Sequence, residues 1–295
     1  STRKGLSTSP MMASDCCKGM AWLNGISTKT LSTLCLILAV LLAGCDMMDY
    51  HPYDVRISGE TGLTKKHIAL IERQCAGKDT IRFAQISDTQ RWYDETEDMI
   101  KSINKIENLD FVIHTGDQAD FGLPKEYEWM RSLFSRLKVP YVCVIGNHDC
   151  IGSGESSYKV MYGPDNFSFN ASFLHFVMLN TNAYEYDYSD DIPNFAYIKN
   201  DLETLPDSIT NTIVAMHVGP FMYQFNDNVA DYFNYRTMQY PGLLFCICGH
   251  EHKQKEYRPF GDSGPIYYEC GAADHKTYII YTVTKESYTY EIRHA

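Results

Sequence analysis

Positive charge is scarce in this chain of 295 residues: 26 lysines and arginines face 37 aspartates and glutamates, for a formal net charge of −11. Long nucleic acids are bound mainly through neutralised phosphates, so this balance argues against such a ligand. Glycine (19) and proline (11) are too few for a collagen-like or low-complexity chain, and 44% hydrophobic residues are too many for a wholly disordered one. No internal repeat and no low-complexity linker follow residue 45. Cysteines in the Cys-x-x-Cys spacing of a metal site are missing as well. Long apolar runs are absent except for Leu31–Gly44, 14 residues without a charge. A membrane span takes about 20 apolar residues, so this run is too short to cross.

The run fits the apolar segment of a secretory signal, with Lys29 before it and the small residues Ala43 and Gly44 at a cleavage position. Leu42-Ala43-Gly44-Cys45 resembles the lipobox of bacterial lipoproteins, in which the cysteine takes a lipid and becomes the mature N-terminus. The expectation is an exported cell-envelope lipoprotein, periplasmic or cell-surface, held to a membrane through Cys45. The competing reading of the run is a buried core helix, since periodicity alone does not separate the two. Residues 1–19 read as upstream sequence, because Met20–Gly44 makes a complete signal. Removing residues 1–44 takes away Arg3, Lys4, Lys18 and Lys29 against a single acid, Asp15, so export sharpens the acidity. Beyond Cys45 remain Cys75, Cys143, Cys150, Cys246, Cys248 and Cys270. Several lie in apolar runs (YVCVIG, LLFCICG) and read as small core hydrophobes, with one adventitious disulfide left open.

Three segments are expected: residues 1–44 as upstream sequence and signal, 45–79 as a tether and N-terminal extension, and 80–295 as one domain. In the extension, Thr64 would cap a helix from about Lys65 to Cys75, and Gly77 would close it. From Ile81 onward strand, loop and helix alternate. IRFAQIS, DFVIHTG and PYVCVIG read as strands. Between them, one helix opens with an Asp94/Glu97 capping box and carries Met99, Ile100, Ile103 and Ile106. Another opens at Pro124, with Tyr127, Met130, Leu133, Phe134 and Leu137 on one face. Later strands are FLHFVMLN, NTIVAMH and LLFCICGH, and then PIYYECG, TYIIYTV and SYTYEIR, which read as successive antiparallel strands. The alternation argues for an α/β core, and the strand-rich end for a second or mixed sheet.

Polar residues of metal-ligand type stand just past the apolar strands: Asp88, Asp117, Asn147, His217, and His250 with His252. Ligands of open α/β sheets collect outside the carboxyl ends of the strands, so these side chains can converge. A single Asp or His at a strand end is more often a cap, but five strand ends each carrying a suitable type, each flanked by Gly or Ser, are harder to explain that way. Oxygen and imidazole donors together suit Mn²⁺, Fe²⁺ or Zn²⁺ better than Ca²⁺. The set exceeds what one four-coordinate ion needs, which points to two divalent ions sharing a carboxylate.

Asp88-Thr89-Gln90, Gly116-Asp117-Gln118-Ala119-Asp120, Gly146-Asn147-His148-Asp149, the lone His217 and Gly249-His250-Glu251-His252 resemble, in order and spacing class, the calcineurin-like metallophosphoesterases. The resemblance spans about residues 81–290. It implies an α/β fold, a four-layer α/β/β/α sandwich of two mixed sheets flanked by helices, with a dinuclear metal centre. By that resemblance Asp88, Gln90, Asp117 and His252 hold the first metal, and Asp117, Asn147, His217 and His250 hold the second, with Asp117 bridging. His148 would protonate the leaving oxygen or stabilise phosphoryl charge, and Asp120 would orient it. The family usually has Asp-x-His where this chain has Asp-x-Gln; Gln90 is a weaker donor, which bears on metal identity and occupancy.

Arg91, Trp92 and Tyr93 follow the first motif and are candidates for lining the substrate pocket, or else form a surface loop with a packed Trp. Tyr184, Tyr186 and Tyr188 read as an ordinary Tyr-rich loop, with stacking on a nucleoside or sugar as the alternative. His114 and His175 lie within strands and read as structural. The function expected is hydrolysis of a phosphate ester of a small substrate, since no long insertion resembles a lid or a nucleic-acid groove. Its rival is a non-catalytic surface lipoprotein of the same fold that binds a phosphorylated ligand or glycan; Gln90 favours the rival, while His148 and Asp120 speak against it.

Overall fold

The computed structural model describes residues 28–43 and 54–295. Helix α1, Thr28–Ala43, covers most of the apolar run and falls in a unit separate from the one running Pro52–Ala295. No helix among the described residues is long and apolar enough to cross a membrane. Cys45 and its neighbours lie outside the described residues.

The larger unit is built on two sheets. In the first, β1 (Thr80–Ile86), β2 (Phe111–His114) and β3 (Tyr141–Cys143) run parallel, β10 (Thr277–Thr284) returns antiparallel beside β1, and β11 (Tyr288–His294) pairs antiparallel with β10 at the edge. In the second, β5 (Leu174–Leu179), β6 (Asn211–Met216), β7 (Leu243–Cys248) and β9 (Tyr267–Glu269) are parallel. Its edges are β4 (Phe167–Ala171) and β8 (Lys255–Tyr257), both antiparallel to their neighbours. The last three strands are therefore not a simple antiparallel series. PIYYECG pairs parallel with β7, and only the final two strands form a hairpin, which crosses back to the first sheet.

Most strands read as unbroken apolar runs because both of their faces are buried. In β1, Ile81 and Phe83 face the other sheet while Ala84 and Ile86 face helices. Between the sheets Phe83 stacks on Phe111 and Tyr281 (5.4 and 4.9 Å between centroids) and meets the edge of Phe176 at 5.2 Å. Burying each such side chain is worth roughly 1.5–3 kcal/mol. Helices α3 (Tyr93–Ile103), α4 (Pro124–Phe134) and α5 (Gly154–Met161) cover the outer face of the first sheet. Helices α6 (Phe195–Thr204) and α7 (Ala230–Thr237) cover that of the second. The architecture is the four-layer α/β/β/α sandwich expected.

Helix α2 (Leu63–Cys75) lies against β3 and β4, edge strands of the two sheets, and buries Ile71 and Cys75 in the inter-sheet core. The second half of the expected extension thus belongs to the packed fold. Thr64 sits inside the first turn, buried, and Gly62 in the left-handed region (φ 65°) precedes the helix instead. Nor does Asp94 cap α3: the helix starts at Tyr93, which places Asp94 and Glu95 in its first turn. Pro124 opens α4 as expected, with Glu126 accepting from the Leu123 N–H at 3.0 Å. All cysteines among the described residues are free thiols, and Cys75, Cys143, Cys246, Cys248 and Cys270 are buried.

Candidate metal centre

Parallel strands within each sheet end on the same side, and the loops leaving β1, β2, β3, β6 and β7 meet there. Asp117 occupies the middle. Its Oδ1 accepts from the His148 backbone N–H at 2.9 Å; its Oδ2 lies 3.3 Å from His217 Nε2 and accepts from Gln90 Nε2 at 3.4 Å. Asn147 Oδ1 is 2.9 Å from His217 Nε2 and 3.0 Å from His250 Nδ1. On the other side His252 Nε2 is 3.3 Å from Asp88 Oδ1, and Asp88 Oδ2 accepts from the His250 backbone N–H at 3.2 Å. All seven expected ligands are therefore contiguous. Close approach of the loops requires glycine at two points: a Cβ on Gly146 would lie 2.1 Å from Asp117 Oδ1, and one on Gly249 would lie 2.6 Å from Asp88 Oδ2.

Local conformation at the centre is costly. Asp88, Asp117, His250 and His252 have φ of 50°, 63°, 88° and 60°, in the left-handed region that costs non-glycine residues free energy and clusters at functional sites. The donors also fit cations. Ligand atoms of Asp88, Asp117 and His217, all buried, lie within 4.8 Å of one another. Gln90 Oε1 is buried without a hydrogen bond, an expensive state for an amide oxygen unless something positive completes it. His217 Nδ1 faces the Thr115 carbonyl at 2.8 Å, so that nitrogen carries the hydrogen and Nε2 faces the centre as a lone-pair donor when the ring is neutral.

Two buried carboxylates that sequence reading passed over set the loops. Asp149 Oδ2 accepts from the N–H groups of Asp117 and Gly146, and Oδ1 from those of Gln118 and Ala119, at 2.9–3.1 Å. It thereby ties the β2 and β3 loops into one piece. Burial and the nearby Asp117 charge push its pKa up to about 7, against the pull of those amides. Glu269, at the end of β9, does similar work in the second sheet: Oε1 accepts from the N–H groups of Glu251 (3.0 Å) and Lys253 (3.4 Å), bracketing His252. Asp149 was visible only as the last letter of its motif, and Glu269 only as an acid inside an apolar strand.

The Asp117 and Asp88 carboxylates each stand 3.3 Å from an imidazole, of His217 and His252, and favour the charged form of both rings. Burial disfavours a charged His217, but the Asp117 and Asp88 carboxylates outweigh it and raise its pKa to about 10. A ligating imidazole must be neutral, so loading the site below that pH expels the proton. Apparent metal affinity is therefore expected to rise about tenfold per pH unit for each proton released. Calorimetric Mn²⁺ titrations in two buffers of different ionisation enthalpy, at about pH 6 and 8, read this directly. An affinity flat across that range would contradict the arrangement of charges described.

Around the centre, His148 is partly exposed, and its Nδ1 is 2.9 Å from the main-chain carbonyl of Asp120, against 3.6 Å from the Asp120 carboxylate. The carboxylate is instead paired with Arg91. Of the three residues after the first motif, Arg91 thus stands at the site's rim. Trp92 and Tyr93 pack against the helical cluster on the first sheet, where Tyr93 meets Trp129 edge-on at 5.8 Å. His114 and His175 are buried and bonded, the first to Thr89 Oγ1 at 2.9 Å and the second to Asp201 at 3.0 Å.

Comparisons with known proteins point the same way. The family model for calcineurin-like phosphoesterases matches residues 81–254. A 3′,5′-cyclic-nucleotide phosphodiesterase of Nostoc sp. is 25% identical over 130 residues, covering 42% of this chain and 48% of the relative. The chain spans about half or less of the length of the curated relatives it matches. Among solved structures, a purple acid phosphatase from yellow lupin superposes with a TM-score of 0.58 at 13% identity, covering 74% of this chain and 52% of that one. A dimetal phosphatase from Danio rerio gives 0.55 at 10% identity, covering 71% and 98%. At such identities the likeness is one of fold.

Proposed function

The chain belongs to the calcineurin-like phosphoesterase family, and we propose that it hydrolyses a phosphate ester of a small substrate at a centre of two divalent ions. The observation that carries the reading is the gathering of six donors from both sheets around Asp117, with the buried Gln90 Oε1 left without a hydrogen bond. Asp88, Gln90, Asp117 and His252 would hold one ion, and Asp117, Asn147, His217 and His250 the other. When bound, such ions supply Lewis acidity toward the phosphoryl oxygens and acidify the attacking water.

The remaining chemistry belongs to the side chains. A carbonyl can only accept, so the Asp120 main chain fixes the hydrogen of His148 on Nδ1 and leaves Nε2 to exchange a proton with the leaving oxygen. Arg91, partly exposed and pinned by Asp120, is placed to meet phosphoryl oxygens with a planar donor fork. The acidic surface repels polyanions at long range, in keeping with a small substrate. The uncharged run and Leu42-Ala43-Gly44-Cys45 support export and lipid anchoring, with residues 80–295 as the working domain behind the segment 45–79.

The test is metal removal. Chelated protein is expected to lose turnover of a chromogenic phosphate monoester or diester, and Mn²⁺, Zn²⁺ or Fe²⁺ to restore it. Failure to turn over either ester with both sites filled would favour the binding-protein reading.

A further inference from the structure

The Tyr-rich loop anticipated as ordinary divides into two kinds of tyrosine. Tyr186 turns inward, its hydroxyl 3.6 Å from Cys150 Sγ and 3.4 Å from Asn180 Nδ2, and anchors the loop. Tyr184 and Tyr188 turn out, 44% and 48% exposed, and are joined by Tyr223, 70% exposed, from the loop after β6. Tyr184 is the hub, with centroids 6.0 Å from Tyr188 (76° between planes) and 5.6 Å from Tyr223 (43°). Three aromatic rings clustered and left in water give up the stabilisation that burial would bring.

Three further features tie this cradle to the metal centre. Asn182 Nδ2 donates to Ile145 O at 3.0 Å, the Val218 N–H to Thr181 Oγ1 at 3.2 Å and the Tyr184 N–H to Gln224 O at 3.3 Å, so the loops after β5 and β6 are fixed to the loop carrying Asn147 and His148 and to each other. Glu185, between Tyr184 and Tyr186, is half-buried within electrostatic reach of His148 and Asp117. Tyr188, Phe221 and Gln224 are held in the left-handed region, with φ of 56°, 64° and 83°. That conformation is unfavourable for bulky residues and marks loops shaped for a task.

We propose that Tyr184, Tyr188 and Tyr223 form the subsite for a flat aromatic ring on the alcohol side of the ester, so that the substrate is a nucleotide or an aryl phosphate and not a ringless one. The proposal rests on the reading of the neighbouring centre as the phosphoryl site, but its test does not need turnover. Rings stack on exposed aromatics in a sequence-tolerant way, and the two ligand sources share that chemistry.

The measurement is calorimetric binding to the Mn²⁺-loaded full chain of adenosine 5′-monophosphate, phenyl phosphate and glycerol 2-phosphate. At least one ring-bearing phosphate is expected to bind about tenfold tighter than glycerol 2-phosphate. Tyr184→Leu and Tyr223→Leu are expected to erase most of that ratio. Tyr184→Phe should retain it, as should Tyr235→Leu, an exposed tyrosine on α7. The better ring ligand identifies the source. Equal affinity for all three phosphates, no binding of the ring-bearing ones, or a ratio indifferent to both Leu variants overturns the proposal. Ring-selective binding without hydrolysis of any ester would instead count against the hydrolase reading and leave the subsite standing.

Discussion

His148→Ala is expected to lower kcat on a phosphate ester by about 10²–10⁴-fold while metal content and melting temperature stay near wild type. The asymmetry follows from what the residue touches. Its backbone N–H, which the substitution keeps, is the group that donates to Asp117 Oδ1 at 2.9 Å. Its side chain is 30% exposed and makes one hydrogen bond, to the main-chain carbonyl of Asp120, with the Asp120 carboxylate farther off at 3.6 Å. The ring can therefore leave without uncovering a buried polar group. Single-turnover rates beside metal analysis check this. A variant with wild-type kcat would remove His148 from the reaction, and one that loses metal would make it a structural residue.

The neighbouring position should behave in the opposite way. Asp149→Ala is expected to destabilise the fold by about 4 kcal/mol, because four buried N–H groups lose their acceptor and each costs roughly 1–3 kcal/mol unless water replaces it. For a domain of this size that is a fall in Tm of about 8–16 °C. Metal affinity should fall as well, by about 10–100-fold, since the loops carrying Asp117 and Asn147 are no longer tied together. Asp149→Asn keeps one acceptor oxygen and should lose about half as much stability. Thermal melts of the metal-free variants separate the folding effect from the loss of ligand. Melts indistinguishable from wild type would mean that the β2 and β3 loops are held by something other than this carboxylate.

That two adjacent residues should differ so much shows what a linear reading can reach. Strand ends were legible because strands buried on both faces are apolar throughout, so the first polar residue after each one stands out. The set Asp88, Asp117, Asn147, His217, His250 and His252 came from that contrast, and the structure gathers it. Asp149 is the same kind of residue in the same motif, yet it points back into the loops; direction is a property of the fold, not of composition. Strand β9 reads as antiparallel because it precedes a hairpin, whereas it lies between β7, to which it is parallel, and β8; and β4 (FSFNA) and β8 (KEY) mix polar with apolar residues, so neither stands out as an apolar run. Thr64 and Asp94 are good capping residues beside helices that begin one or two positions earlier, where packing overrode local preference. Tyr223 had no motif at all; its role depends on the Tyr184 loop, distant in sequence.

The returning hairpin bears on how such a molecule is made. β1 pairs with β10 from Thr80↔Thr284 to Gln85↔Ile279, so the strand leading to Asp88 acquires one of its two neighbours only when residues about 200 positions downstream have emerged. Until then its edge is open to any other extended segment, and pairing across so long a separation is slow. A shortened version ending at residue 254, where the family match stops, would keep all seven candidate ligands and still lack β8, β9, β10 and β11. It would carry the chemistry without the scaffold that closes around it.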